Sequence, residues 1–396
     1  MHSDARLDFL PYGRQTIDEH DLDAVISALK SQHLTQGPLI VEFEKALASR
    51  LGARYAVAVN SGTAALHLAC LAAGLGKGDE VITSPITFIA SANCALYCGA
   101  EVRFADIEPE TFNIDAQAAL KAITPSVKAL IPVHMAGQSA DMPVFARLAK
   151  EQSKKTGLRT FIIEDACHAF GGNAGSSPIG ACEHSDMTVF SFHPVKSMTT
   201  GEGGAILTNH RDLYEKLCLY RSHGITKSPE KLIENHGPWY YEQQELGYNY
   251  RITDLQCALG LSQLKKIDGF LSRRREIVAQ YQEYFAHIPG IRLQVENKLN
   301  QSAHHLYILL IDFQKFNTSR AELMTTLASR GIGTQVHYIP VYRQPYYQKR
   351  YRLSPERFPR AEQYYAQCLS IPIFPTMTNQ DVQYVCGEIS KALHLV

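Results

Sequence analysis

Nothing in the 396 residues of this chain approaches the roughly eighteen consecutive apolar side chains that a membrane-spanning helix requires. Net charge is absent too. The 39 lysines and arginines are matched by 39 aspartates and glutamates, so there is no basic footprint for nucleic acid or an acidic membrane surface. That balance also weakens self-repulsion, which is compatible with an oligomer. Metal-binding patterns are missing. The nine cysteines form no C-x-x-C pair, the sixteen histidines contain no H-E-x-x-H, and His304 and His305 are adjacent and so point apart. Several of the thiols, Cys70, Cys94, Cys98 and Cys167 among them, stand in apolar surroundings, which predicts buried, reduced cysteines in a cytoplasmic protein. Met1 to Arg14 is mixed and charged, without the apolar centre of a secretory leader. No G-x-G-x-x-G follows the first predicted strand, which argues against a dinucleotide fold.

What is present is a globular composition, 45% hydrophobic and 20% charged, with length enough for two domains. From about residue 17 to 210, short apolar strands alternate with helical patterns. Thr16 is positioned to cap a first helix, with acidic residues in its opening turn. Strands are predicted at 55–59, 80–83, 101–104, 129–133, 160–163 and 187–192, and helices at 64–73, 89–97 and up to 149. This rhythm implies a mainly parallel sheet covered on both faces, with ligands at the carboxyl ends of its strands. Residues 225–247 read as a polar excursion. Residues 252–287 are helical and place Arg273, Arg274 and Arg275 on a solvated face. Beyond Pro289 the pattern changes: strands at 306–311 and near 333–336, helices at 319–329, 361–369 and 379–393. The expected division is a large α/β domain over 1–265 and a smaller α+β domain over 266–396.

Lys196 is the most informative residue. It lies just past an apolar strand and just before the glycine cluster Gly201, Gly203, Gly204. Upstream, the run ending in Ile163 leads into Glu164 and Asp165. An amine at the end of one buried strand and an acid at the end of another suggest pyridoxal 5'-phosphate (PLP), which needs a lysine for its aldehyde and an acid for its ring nitrogen. The plain alternative is a surface lysine. Gly62 and Thr63, between a strand and a helix, offer free amides and a hydroxyl to an anion, or form an ordinary capped turn. Phe88 either faces a planar ring or packs in the core. Asp165 pairs with the ring nitrogen or caps a helix. His168 touches the ring oxygen, positions Asp165, or is a satisfied core histidine. Ser191 adds a hydroxyl to the phosphate cradle, and the 201–204 glycines permit close backbone approach. The tyrosines at 338, 342, 346 and 347 either bind sugar or simply pack.

Ser-Gly-Thr at 61–63, Glu-Asp-Ala-x-His at 164–168 and Ser-Phe-His-x-x-Lys at 191–196 resemble the motifs of the DegT/DnrJ/EryC1/StrS aminotransferases, from about Phe9 to the C-terminus. The resemblance implies a PLP-dependent transferase fold of type I, aspartate aminotransferase-like. It implies that Lys196 links the cofactor covalently and that Asp165 holds its ring nitrogen. Phe88 would stack on the ring, with His168 beside it. Gly62, Thr63 and Ser191 would hold the phosphate, and Asn249 would reach the neighbouring subunit's phosphate in a homodimer. Tyr12, Gln32, His33, Leu34, Thr35, Gln335, Val336, His337 and Tyr338 are similar to positions lining a sugar-nucleotide pocket, and Arg251 is the candidate for the donor's carboxylate. Further stretches, Leu34 to Pro38, Arg221 to Gly224, Gly247 to Arg251 and Gln335 to Tyr338, resemble the branch that aminates C4 of a UDP-linked keto-sugar toward pseudaminic acid, with L-glutamate as donor. The competing expectations are a GDP-4-keto-6-deoxymannose or 3-keto-sugar substrate, or a non-catalytic PLP-binding regulator. A sugar dehydratase of the superfamily has histidine in place of the lysine; here Lys196 is intact.

Overall fold

The computed structural model describes residues 9–395; the reading of the leader over residues 1–8 lies outside them. A seven-stranded sheet forms the centre. Its strands are β1 (Tyr55–Val59), β2 (Glu80–Thr83), β3 (Glu101–Phe104), β4 (Val127–Ile131), β5 (Phe161–Asp165), β6 (Met187–Ser191) and β7 (Gly204–Thr208). Their spatial order is β1-β7-β6-β5-β4-β2-β3. The strands from β2 to β6 pair in parallel, whereas β7 runs antiparallel to both of its neighbours. Helices α1 (Glu19–Leu29) and α2 (Pro38–Leu51) precede the sheet. The connections carry α3 (Gly62–Ala72), α4 (Ala90–Tyr97), α5 (Ala116–Ala122) and α6 (Met142–Thr156), and α7 (Arg211–Arg221) follows β7.

Strand periodicity decides what reaches the site. Successive side chains alternate between faces. On β5, Phe161 and Ile163 join the core built with α3 and α4, while Ile162 joins the core built with α6. Asp165 therefore falls on the α3–α4 side and Glu164 on the other. Glu164 accepts hydrogen bonds from His134 Nε2 at 2.7 Å and Thr188 Oγ1 at 2.9 Å, and from Ser185. These strands are almost wholly buried, and each fully buried aliphatic side chain contributes about 1.5–3 kcal/mol.

Helix α8 (Asp254–Phe285) is one unbroken rod of 32 residues, opened by a capping box between Thr253 and Gln256. Residue 265 lies inside it. Its second half packs Ile277, Val278, Tyr281 and Phe285 against a three-stranded antiparallel sheet of β8 (Ile291–Leu293), β9 (Tyr307–Ile311) and β10 (Cys368–Ile371). Helices α9 (Arg320–Ser329), α10 (Pro345–Tyr351), α11 (Pro359–Gln367) and α12 (Asn379–Ala392) complete this part.

Several expectations are corrected. Three consecutive helical residues cannot share one face, and Arg274 is fully buried, donating to the carbonyls of His304, His305 and Ile373 at 3.2, 3.3 and 3.0 Å. Asp18, not Thr16, caps α1, because its carboxyl and that of Asp21 exchange hydrogen bonds with each other's backbone. The strand expected near 333–336 reduces to a bridge between Gln335 and Ser370, since the preceding Ile332 pairs instead with Leu10. Helix α11 stops at Gln367, as the residues after it are drawn into pairing with β9. β4 ends at Ile131, ahead of Pro132, which has no N–H for the ladder. Cys98 and Cys167 are partly exposed rather than buried. The excursion at 225–247 contains a short antiparallel pair, Ile225–Thr226 with Glu242–Gln243, and carries the exposed Trp239. No helix among the described residues is long and apolar enough to cross a membrane.

Candidate active site

At the carboxyl ends of β1, β5 and β6 the chain encloses a cavity of about 870 Å³. One wall is the turn from β1 into α3. Ser61 caps the helix, its hydroxyl accepting from Ala64 N and its carbonyl from Ala65 N. The amides of Gly62 and Thr63 are thus the first-turn donors left over, and both residues line the cavity. A β-carbon on Gly62 would lie 2.8 Å from Ser191 Cβ, and one on Gly204 would lie 2.6 Å from Ser61 O. Glycine at both places lets the turn, the end of β6 and the start of β7 close into one cradle. Such a cradle of free amides and hydroxyls fits the phosphate of PLP.

Asp165 ends β5 and is buried at the floor. No helix follows it, so it is not an N-cap. Its Oδ1 accepts from Cys167 N at 3.2 Å and its Oδ2 from Ser91 Oγ at 2.5 Å. Lys196 sits in the loop after β6. Phe192 closes that loop, its N–H donating to Gly203 O at 2.9 Å and its carbonyl accepting from Thr200 N at 3.0 Å. Among the described residues nothing pairs with the Lys196 side chain. Burial lowers its pKa, and Cys167 and Asp165 partly oppose the shift, so neutral amine becomes available below the usual lysine range.

A histidine–tyrosine group forms the opposite wall. His168 Nε2 lies 2.9 Å from Tyr338 Oη, with the rings stacked at 19°, and its Nδ1 has no hydrogen-bond partner among the described residues. Burial, then the charges of Lys196 and His337, hold His168 well below its usual pKa. Burial and Lys196 take His337 to about 3. Both rings are therefore neutral, and burial pushes the Tyr338 hydroxyl up. His168 makes no hydrogen bond to Asp165; it meets Tyr338 instead.

Of the residues singled out in the sequence, the cavity gathers Tyr12, Gly62, Thr63, Phe88, Asp165, His168, Ser191, Lys196, His337 and Tyr338. Phe88 is 56% exposed, so it is a wall residue and not core. Gln335 and Val336 line an adjoining hollow of about 750 Å³ that shares Phe88, His337 and Tyr338 with the cavity. Tyr342 and Tyr347 pack in the core, while Tyr346 is exposed on that hollow. Gln32, His33, Leu34 and Thr35 are surface residues outside the cavity, because Thr35 bridges Thr253 and Leu34 O accepts from Asp254 N, tying the segment to the start of α8. Arg251 is outside as well, donating to Ser222 Oγ at 3.3 Å. Asn249 is exposed, its carbonyl accepting from Asn60 Nδ2 at 3.5 Å, and it does not line this chain's cavity. Sequence reasoning missed Ser91, Cys167, Glu202 and Gln256, which also line the cavity. Cys167, inside the Glu-Asp-Ala-x-His motif, and Glu202, among the 201–204 glycines, carried a positional signal, whereas Ser91 and Gln256 carried none.

The family model for DegT/DnrJ/EryC1/StrS aminotransferases matches residues 15–390. The spore coat polysaccharide biosynthesis protein SpsC of Bacillus subtilis is 42% identical over 96% of each chain. A UDP-4-amino-4,6-dideoxy-N-acetyl-beta-L-altrosamine transaminase of Campylobacter jejuni is 39% identical over 98% of each. Among solved structures, Helicobacter pylori PseC, an aminotransferase involved in the biosynthesis of pseudoaminic acid, superposes with a TM-score of 0.88 at 32% identity, over 98% of this chain and 100% of that one. The PLP-form of a putative sugar aminotransferase, Spr1654 from Streptococcus pneumoniae, gives 0.88 at 28% identity over 98% and 99%. The fold is accordingly that of the PLP-dependent aminotransferases, α/β with a mainly parallel sheet. This chain belongs to the DegT/DnrJ/EryC1/StrS aminotransferase family and is a PLP-dependent sugar aminotransferase.

Proposed function

We propose that the enzyme transfers the amino group of L-glutamate to the C4 ketone of UDP-2-acetamido-2,6-dideoxy-β-L-arabino-hexos-4-ulose, giving the 4-amino sugar used for pseudaminic acid. One observation carries the chemistry: Lys196, Asp165 and the Gly62–Thr63 turn converge on a single cavity. The names of the Campylobacter jejuni and Helicobacter pylori relatives support the substrate. PLP, when bound, supplies an aldehyde that accepts the amino group and a ring that withdraws electrons from the adjacent carbon.

The protein's residues do the rest. Lys196 Nζ would hold the cofactor through its aldehyde. The freed amine, its pKa lowered by burial, then removes the proton from the donor's Cα. In the second half it delivers a proton to C4 of the sugar. Asp165 would pair with the ring nitrogen and keep it protonated. Gly62, Thr63 and Ser191 would hold the phosphate and Phe88 would stack on the ring, with His168 and Tyr338 lining the same cavity. Tyr12, His337 and the adjoining hollow with Gln335 and Val336 receive the sugar nucleotide. We place Asn249 of a second copy at the phosphate, which makes the working unit a homodimer, and assign the enzyme to the cytoplasm.

A second reading, amination of another nucleotide-linked keto-sugar such as GDP-4-keto-6-deoxymannose, draws on the relative named for spore coat polysaccharide. The test is to load the enzyme with the amino group from L-glutamate and offer a panel of UDP- and GDP-linked keto-sugars. Fastest return of the PLP absorbance with the UDP-linked 4-keto sugar supports the proposal. Return only with a GDP-linked sugar favours the second reading.

A further inference from the structure

We infer that Ser91 is a positioning residue for Asp165, with Thr87 behind it. This rests on the reading of Asp165 as the partner of the cofactor's ring nitrogen. Ser91 stands in the first turn of α4 and is buried, as are Thr87 and Asp165. Three acceptors lie within reach of its single hydroxyl proton: Asp165 Oδ2 at 2.5 Å, Thr87 Oγ1 at 2.7 Å and Phe88 O at 3.2 Å.

The distances and the chemistry choose among them. A carboxylate oxygen is the strongest acceptor of the three, and charge-assisted bonds are the shortest. Ser91 therefore donates to Asp165, and Thr87 donates its own proton to Ser91. The competing role, a serine that merely bonds back to the carbonyl three residues earlier, uses the longest of the three contacts. On its other oxygen, Asp165 accepts from Cys167 N at 3.2 Å. Both oxygens are thus held by donors from different segments, and rotation of the carboxyl group is fixed. A carboxyl fixed in this way meets the ring nitrogen in one orientation, without reorganising during the reaction.

The test uses the PLP-loaded enzyme and the variants Ser91→Ala, Ser91→Thr, Thr87→Val and Asp165→Asn. The readouts are the cofactor's dissociation rate, the pH dependence of its visible absorbance, and the single-turnover rate with L-glutamate. Ser91→Ala is expected to slow turnover by roughly 10–100-fold, as loss of supporting partners commonly does. Half-saturation by glutamate stays unchanged, while cofactor release quickens and the absorbance titration moves. Ser91→Thr restores these properties, and Thr87→Val shifts them in the same direction by less. Should Ser91→Ala not fold, Thr87→Val decides by the same signs. Wild-type values in every readout for Ser91→Ala, beside a crippled Asp165→Asn, would overturn the role of Ser91 and leave the assignment of Asp165 standing. A normal Asp165→Asn would overturn both.

Discussion

Gly62 and Ser191 approach so closely that a β-carbon on the glycine would lie 2.8 Å from that of the serine. One lies at the start of α3 and the other at the end of β6, so the contact joins two walls of the cavity. Gly62→Ala must push these walls apart. Overpacking of this kind costs about 1–3 kcal/mol. If that cost falls on the phosphate cradle, PLP affinity drops roughly ten- to hundredfold. Titration of the apo-protein with PLP measures it, and an unchanged Kd would remove the turn from the phosphate site.

Lys196→Arg keeps a positive charge but loses the one lysine amine that lines the cavity among the described residues. Arginine is not deprotonated in proteins. Single-turnover rates with L-glutamate should fall by at least about a hundredfold, the lower end of what a placed acid–base group contributes. Reducing the wild-type holoenzyme with borohydride and mapping the peptides should find the cofactor on Lys196. Finding it on another lysine would transfer the role there.

Arg274 tests the interior. Its guanidinium is buried with no carboxylate partner among the described residues, and burial lowers its pKa to about 10. Replacing it by methionine leaves the carbonyls of His304, His305 and Ile373 without that donor. A loss of about 1–3 kcal/mol in urea unfolding is expected. A change of less than about 0.5 kcal/mol, the range of ordinary surface substitutions, would mean that those carbonyls find other donors.

Buried histidines set a pH dependence. Burial first of all takes His304 to about 4 and His337 to about 3, from the usual 6.5. In the unfolded chain both take up protons below about 6.5. Between these limits the unfolded state binds more protons, so stability falls as pH falls. It is full above pH 6.5 and declines progressively through pH 4. Melting temperatures recorded across that window should fall toward acid, and His337→Asn should flatten part of the slope. A Tm that is level from pH 7 to 4 would contradict these protonation states.

The alternation of strands and helices was legible because each strand is a short apolar run bounded by turn residues. The parallel part of the sheet and β1 therefore followed from sequence, and the positions of Lys196, Asp165 and Gly62 at strand ends came with them, whereas β7 (Gly204–Thr208), antiparallel between β1 and β6, was hidden behind the glycines that open it. Single hydroxyls were not legible. Ser91 looks like any serine at the start of a helix, and only packing of α4 over β5 brings it to Asp165. Arg274 misled because three adjacent arginines read as one solvated patch, whereas a helix turns each of them to a different side. The segments around Thr35 and Arg251 carry family-like motifs, yet they fold against α8 and the end of α7, outside this chain's cavity.

Strand β1 carries the turn with Gly62 and, within the central sheet, pairs with β7, Tyr55 opposite Thr208 and Val59 opposite Gly204. Some 150 residues separate these partners, and closing so long a loop is entropically costly and slow. During synthesis the anion-facing turn leaves the ribosome early and finds α2 to pack on, Phe43 and Leu47 meeting Ala56 and Ala58, but β1 gains its sheet partner only when β7 emerges. A nascent chain that stops short of residue 204 therefore lacks one side of the cradle, the start of β7 on which the Ser61–Gly62 turn closes.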